Sequence, residues 1–329
     1  MAVSRGELGA AFGVVGIFLA IQLGALALVQ PFLDANVQAV EDPTNPQNSV
    51  LFFGVVLVAT GIMLAAMRFG GDRAIRAVLI LVSGSLVWMV TGPLLAPLTA
   101  VQTGSAGLDT LAWGIGAIGP ILASLLAMVG LFAYPEWYVV DATGIVMGAG
   151  AAALFGVSFG PFPAILFLLI LAVYDAISVY GTKHMLTLAE GIMDLNVPVV
   201  LVVPTQAGYS FMHDEGPAST EAAEAADRPE RNALYIGLGD AVMPSVLVAS
   251  AATFHPEVGA LSVPGLAVNV PALGAIIGTT AGLFALMWLV LKGRPHAGLP
   301  LLNGGAITGY LVASVAAGLT LVEAIGWPF

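Results

Sequence analysis

The sequence contains no cysteine and very little charge. Without cysteine there is no disulfide, no thiolate metal site and no cysteine nucleophile. Charged residues make up 9% of the 329 positions, where a soluble domain carries roughly 25%. A buried core does not account for this shortage, because a soluble chain of this length still needs a polar surface. A lipid-facing surface does account for it. Basic residues are the scarcer sign, 9 against 20 acidic, for a net charge of -11. No basic patch is on offer to nucleic acid. No His-Glu-x-x-His occurs, which argues against a zinc membrane protease.

What is present is apolar: 59% hydrophobic residues and a mean hydropathy of +0.98. The 40 glycines and 20 prolines fit the same picture, both being commoner in membrane helices than in soluble ones. A span needs about 20 apolar residues. Runs of that kind lie at 8–31, 49–67, 76–98, 113–133, 135–156, 162–181, 233–254, 267–291 and 300–324. None shows the alternation of a β-barrel strand. The expected fold is therefore an all-α polytopic membrane protein, a single membrane domain of nine transmembrane helices. The first run, Leu8 to Phe32, is longer than the core of a secretory signal and reads as a span, not a cleaved leader.

The basic residues test that count. Arg5, Arg68, Arg73, Arg76, Lys183, Arg228, Arg231, Lys292 and Arg294 all fall before span 1 or between spans 2 and 3, 6 and 7, or 8 and 9. With nine spans these positions share one side. The loops at 32–48, 99–112, 157–161 and 255–266 contain none. The positive-inside rule then gives a multi-pass protein of the cell membrane, N-terminus cytoplasmic and C-terminus external. The stretch 210–231 is acidic and rich in Ala, Glu, Pro and Ser, and reads as a flexible cytoplasmic loop. Val197 to Val203 is too short to span, and reads as a short strand or a surface segment.

Most acids lie in loops or at span ends. Asp141, near the start of span 5, and Glu323, near the end of span 9, read as interfacial. Two acids are deep: Asp175 in LAVYDAISVY and Asp240 in YIGLGDAVMPS. A charge at membrane depth costs several kcal/mol and is rarely accidental. Asp175 lies roughly 9 Å, and Asp240 roughly 10 Å, from the cytoplasmic ends of their spans at 1.5 Å per residue. Antiparallel neighbours at matched depth bring two carboxyls face to face. Two like charges in one site do not both ionise easily, so the pair holds one proton. The protonated acid polarises a carbonyl and the ionised one takes a proton from water, which is aspartic-protease chemistry. The same residues also suit a secondary transporter or channel that binds protons or cations, or a polar contact between helices in a scaffold. Inverted repeats would favour transport, and none is evident.

The flanking residues narrow the choice. Asp240 closes Gly237-Leu238-Gly239-Asp240, and Asp175 follows Tyr174 in the preceding span. A Tyr-Asp in one span and a Gly-x-Gly-Asp in the next resemble the presenilin and signal-peptide-peptidase family of intramembrane aspartyl proteases. At the start of span 9, Ala297-Gly298-Leu299-Pro300 is similar to that family's Pro-Ala-Leu-Pro and keeps its Leu-Pro half. A literal Pro271-Ala272-Leu273 sits at the outer end of span 8 and reads as a chance match. The resemblance implies a presenilin-like bundle and an aspartic endopeptidase with Asp175 and Asp240 as catalytic pair. It also implies that Tyr174, Gly237, Leu238, Gly239, Ala297, Gly298, Leu299 and Pro300 line the substrate. Its substrates would be single-span membrane proteins or peptides held in the lipid bilayer. No metal or organic cofactor is needed for that chemistry.

Each flanking residue also has an ordinary reading. Glycines allow close backbone approach, to a substrate or to another helix. Tyr174 packs or donates a hydrogen bond. Pro300 frees backbone groups for an extended peptide or simply starts a helix. Gly156-Val157-Ser158-Phe159-Gly160 has the nucleophile-elbow pattern but joins two apolar runs, not a strand and a helix. His184, His213, His255 and His296 all lie outside the spans, so a Ser-His membrane protease is not expected. Gly144/Gly148, Gly274/Gly278/Gly282 and Gly305/Gly309 have the small-xxx-small spacing of packing faces.

Overall fold

A computed structural model of the chain describes residues 5–69, 71–182, 200–206, 208–210, 233–290 and 297–326. Six helices come first: α1 (Arg5–Asp34), α2 (Gln47–Arg68), α3 (Asp72–Leu95), α4 (Ala106–Ala133), α5 (Trp137–Ser158) and α6 (Pro161–Ile177), the last running into a π turn at Ser178–Thr182. Strands β1 (Val200–Pro204) and β2 (Ala233–Gly237) follow, then α7 (Leu238–Phe254) and a hairpin of β3 (Leu261–Val263) and β4 (Leu266–Val268). Helices α8 (Val270–Val290), α9 (Leu299–Ala316) and the short α10 (Leu321–Ile325) complete the chain.

Among the described residues, eight helices are long and apolar enough to cross a membrane, and α7 is a shorter apolar one of 17 residues. These nine stand in the order the apolar runs predict. Two boundaries differ. Residues 233–237, expected to begin span 7, are a strand that pairs antiparallel with β1, Val200 opposite Gly237 and Pro204 opposite Ala233. Leu234, Tyr235 and Ile236 suit a pleated surface, and Gly237 is a weak helix former, so the helix starts only at Leu238. Val197 to Val203 thus resolves, over its described part, into a strand. At the other boundary, α9 ends at Ala316 and turns at Gly318 (φ 99). Span 9 as read from sequence is therefore a helix, a turn and α10. The Thr320 hydroxyl and the Glu323 carboxylate cap α10 reciprocally.

The helix α7 lies at the centre, buried from Ala241 through Ala252 with few gaps. It packs against α1, α5, α6, α8 and α9. Helices α2 and α4 lie outside and turn large apolar side chains outward, Val58, Ile62, Leu126 and Phe132 among them. The glycine spacings act as packing faces. A methyl on Gly278 would overlap the Gly305 carbonyl, and one on Gly274 the Gly309 carbonyl, so α8 and α9 meet backbone to backbone. Gly156 approaches Ala249 of α7 in the same way. Ser158 donates to Leu154 O and accepts from the Ala39 N–H at 2.7 Å, which gives the elbow-like motif a structural role.

The two ends of the bundle differ. At one, the Arg76 guanidinium of α3 reaches the Phe132 carbonyl at the end of α4, and the β1–β2 ribbon packs on α5. At the other, the β3–β4 hairpin lies over α1 and α7. Asn269 holds that end, donating to Ala251 O and His255 O and accepting from the Ala272 N–H. The 210–231 loop lies outside the described residues except for Ser210, as do His184, His213 and His296.

Candidate active site

Three chain segments meet where α6, α7 and α9 converge. Asp175 lies near the end of α6, 7% exposed, where the helix loosens into the π turn. Such turns often mark functional positions. Asp240 is in the first turn of α7, half-buried, immediately after the strand that ends at Gly237. It is therefore not seven residues deep inside a helix, as expected. The β1–β2 ribbon sets its position at the mouth of α7.

The third segment, Ala297-Gly298-Leu299-Pro300, runs between the two acids. The Leu299 N–H donates to Asp175 Oδ2 at 3.0 Å, and the Gly298 N–H also points to Asp175. On the other side a Cβ added to Gly298 would stand 3.2 Å from Asp240 Oδ2. The two carboxyls therefore flank the same dipeptide. Pro300 sits in the first turn of α9, where its missing N–H costs no helix bond. The Asn303 amide donates to Leu168 O at 3.0 Å and ties α9 to α6 one turn further on.

The other expected residues fall as follows. Gly239 is exposed, and a Cβ there would meet nothing within 4 Å. Gly237 is exposed too, with Asp240 Oδ2 at 3.7 Å from its hypothetical Cβ. This glycine side of Asp240 is open to an approaching chain. Leu238 turns the other way, its side chain packing into the core beside Gly148 and Val242. The Tyr174 ring meets Phe53 of α2 edge to face, centroids 5.7 Å apart. Pro271-Ala272-Leu273 begins α8, at the end of that helix remote from Gly298.

One contributor had no sequence signal. The Tyr180 hydroxyl accepts the Ala297 N–H at 3.2 Å, so the π turn holds the segment two residues before its bond to Asp175. The partners are 117 positions apart and no spacing rule joins them. Among the described residues no cluster of three or more His, Cys, Asp or Glu side chains is arranged to hold a metal ion.

The family model described as signal-peptide peptidase, presenilin aspartyl protease matches residues 15–319. Two solved structures, both of a presenilin family intramembrane aspartate protease, are similar to the chain. The one in space group C222 is 32% identical, with 93% of this chain and 99% of that chain covered and a TM-score of 0.62. The one in space group P2 is 32% identical, with 92% and 97% covered and a TM-score of 0.58. No curated protein sequence matches.

Proposed function

The chain belongs to the presenilin and signal-peptide-peptidase family and is an intramembrane aspartic endopeptidase, and from that premise we propose that Asp175 and Asp240 are its catalytic pair. The family works on transmembrane-helix substrates within the bilayer, and no finding favours the transporter reading. The observation that carries the proposal is the shared dipeptide: Leu299 donates to Asp175 while Gly298 stands against Asp240. With one proton between them, one carboxyl polarises the scissile carbonyl and the other takes a proton from the attacking water. The new C–O bond gives a tetrahedral intermediate, and the proton passes to the leaving amine as the C–N bond breaks.

A peptide bond inside an intact helix is shielded, so the substrate must unwind where it meets the pair. The exposed side of Gly237 and Gly239 admits an extended backbone close to Asp240. Tyr174, next to Asp175 in the chain, and the Ala297–Pro300 segment are the further residues proposed to line the substrate, while Leu238 contributes by anchoring α7. The substrates proposed are single-span helices with the N-terminus outside, in keeping with a cytoplasmic N-terminus and external C-terminus for the protease in the cell membrane. The test is cleavage of a model membrane helix by the reconstituted protein. Asp175→Ala and Asp240→Ala should each abolish it while the protein stays folded. Substantial cleavage by either variant would overturn the assignment.

A further inference from the structure

A third buried acid lies away from the pair. Asp141 is in the first turns of α5 and only 7% exposed. The sequence reading places it at the membrane interface. Its Oδ1 accepts the backbone N–H of Val202, in the middle of β1, at 2.8 Å. Val202 is itself fully buried, among Ile80, Leu131 and Val140. A strand in such surroundings has no water to satisfy its outward N–H, and an unmet buried donor is costly. A carboxyl is an expensive group to bury for packing alone. An apolar side chain would fill the same space more cheaply but leave Val202 without an acceptor.

The bond has a direct line to the reacting group. Val202 stands opposite Tyr235, and Val200 opposite Gly237. Gly237 ends β2, and α7 begins at the next residue, with Asp240 in its first turn. The Asp240 backbone is thus held on one side by α7 and on the other by a two-stranded ribbon. Two strands alone are marginal. The chain after β1 is pinned to the same helix end, where the Ser210 hydroxyl donates to Glu136 at 2.6 Å. The Tyr209 and Tyr235 hydroxyls meet at 2.8 Å, and both rings pack in the same cluster as Val202.

We propose that Asp141 is a positioning residue of this protease, fixing the β1–β2 ribbon to α5 so that the Gly237–Asp240 segment presents Asp240 opposite Asp175. Asp141 touches neither the pair nor the substrate and acts through Val202. The inference rests on the assignment of Asp240 as catalytic.

The test uses the full chain in lipid bilayers, with Asp141→Ala, Asp141→Asn and, as control, Asp240→Asn. Asn keeps an oxygen acceptor at the same place and loses the charge. Three quantities are read: kcat and KM on a model membrane helix, amide hydrogen exchange across 200–204 and 233–237, and thermal unfolding. Asp141→Ala should speed exchange in both strands and lower kcat roughly ten- to a hundredfold with KM little changed, since small misplacements of reacting groups cost on that scale. Asp141→Asn should restore slow exchange and most of kcat. Faster exchange with unchanged kcat overturns the proposal, as does an Asn variant as impaired as Ala. If Asp141→Ala does not fold, the Asn variant decides: near-normal kcat supports the anchor and a large loss refutes it. Cleavage retained by Asp240→Asn would instead refute the catalytic pair, and strand exchange in the Asp141 variants would still report on the anchor.

Discussion

Replacing Gly298 by alanine adds one methyl group beside Asp240. The Gly298 backbone is right-handed helical (φ -78, ψ -47), so alanine fits it without strain. The added carbon would stand 3.2 Å from Asp240 Oδ2, 3.5 Å from its Cγ and 3.4 Å from Leu286 Cδ2. The first contact is tight, and the carboxylate must yield by a few tenths of an ångström. Misplacement by about 1 Å costs about a hundredfold in rate, so this shift should lower kcat roughly three- to tenfold. That corresponds to about 0.7 to 1.4 kcal/mol of barrier. Gly298→Val, with two further carbons, should lose far more. Two glycines calibrate the effect. Gly304 has nothing within 4 Å of its hypothetical Cβ, and Gly304→Ala should leave kcat unchanged. Gly239 is equally unobstructed but exposed at the site, so Gly239→Ala should raise KM through the substrate, with the free enzyme undisturbed. The assay is steady-state cleavage of a model membrane helix, with thermal unfolding measured alongside. Wild-type kcat in Gly298→Ala, or an equal loss in Gly304→Ala, would refute the placement of Gly298 against Asp240.

The pH profile of cleavage should be bell-shaped. On the acid side both carboxyls are protonated and no base remains; on the alkaline side both are ionised and no acid remains to polarise the carbonyl. The two limbs belong to the pair jointly, and a rate flat from acidic to neutral pH would count against a shared proton. Gly278→Ala should lower the unfolding temperature by an overpacking penalty of about 1–3 kcal/mol, because its methyl would overlap the Gly305 backbone; unchanged melting would contradict the close α8–α9 contact. Single cysteines at Ser219 and Ser262 should react with membrane-impermeant reagents from opposite sides, cytoplasmic and external respectively, with no native cysteine to interfere. Labelling of both from one side would break the proposed topology.

Much of the architecture was legible because lipid leaves a one-dimensional signature. Runs of about 20 apolar residues announce α1 to α6 and α8 directly. Asp175 and Asp240 stand out because carboxyls are rare in such runs. What escaped depends on partners distant in sequence. Ala233 to Gly237 is as apolar as a helix end, and periodicity cannot tell a five-residue apolar strand from a helical segment. Only pairing with Val200–Pro204, more than 25 residues earlier in the chain, makes it a strand. The Asp141 bond could not be anticipated either, since it requires β1 to be in place first. The same holds for Tyr180, whose part in the site depends on where Ala297 comes to rest. Gly298 was expected to border the substrate; its tighter relation is to Asp240.

Asp175 and Asp240 are proposed to act as one unit, and asparagine substitution tests this most directly because it preserves side-chain shape. Single-turnover cleavage should be compared for Asp175→Asn, Asp240→Asn and the double variant in the same bilayers. Groups that share one proton fail together, so each single variant should lose about as much rate as the double, with no further loss on combination. A single variant that keeps substantial cleavage, or losses that multiply as for independent sites, would show that the two carboxyls do not work as a pair.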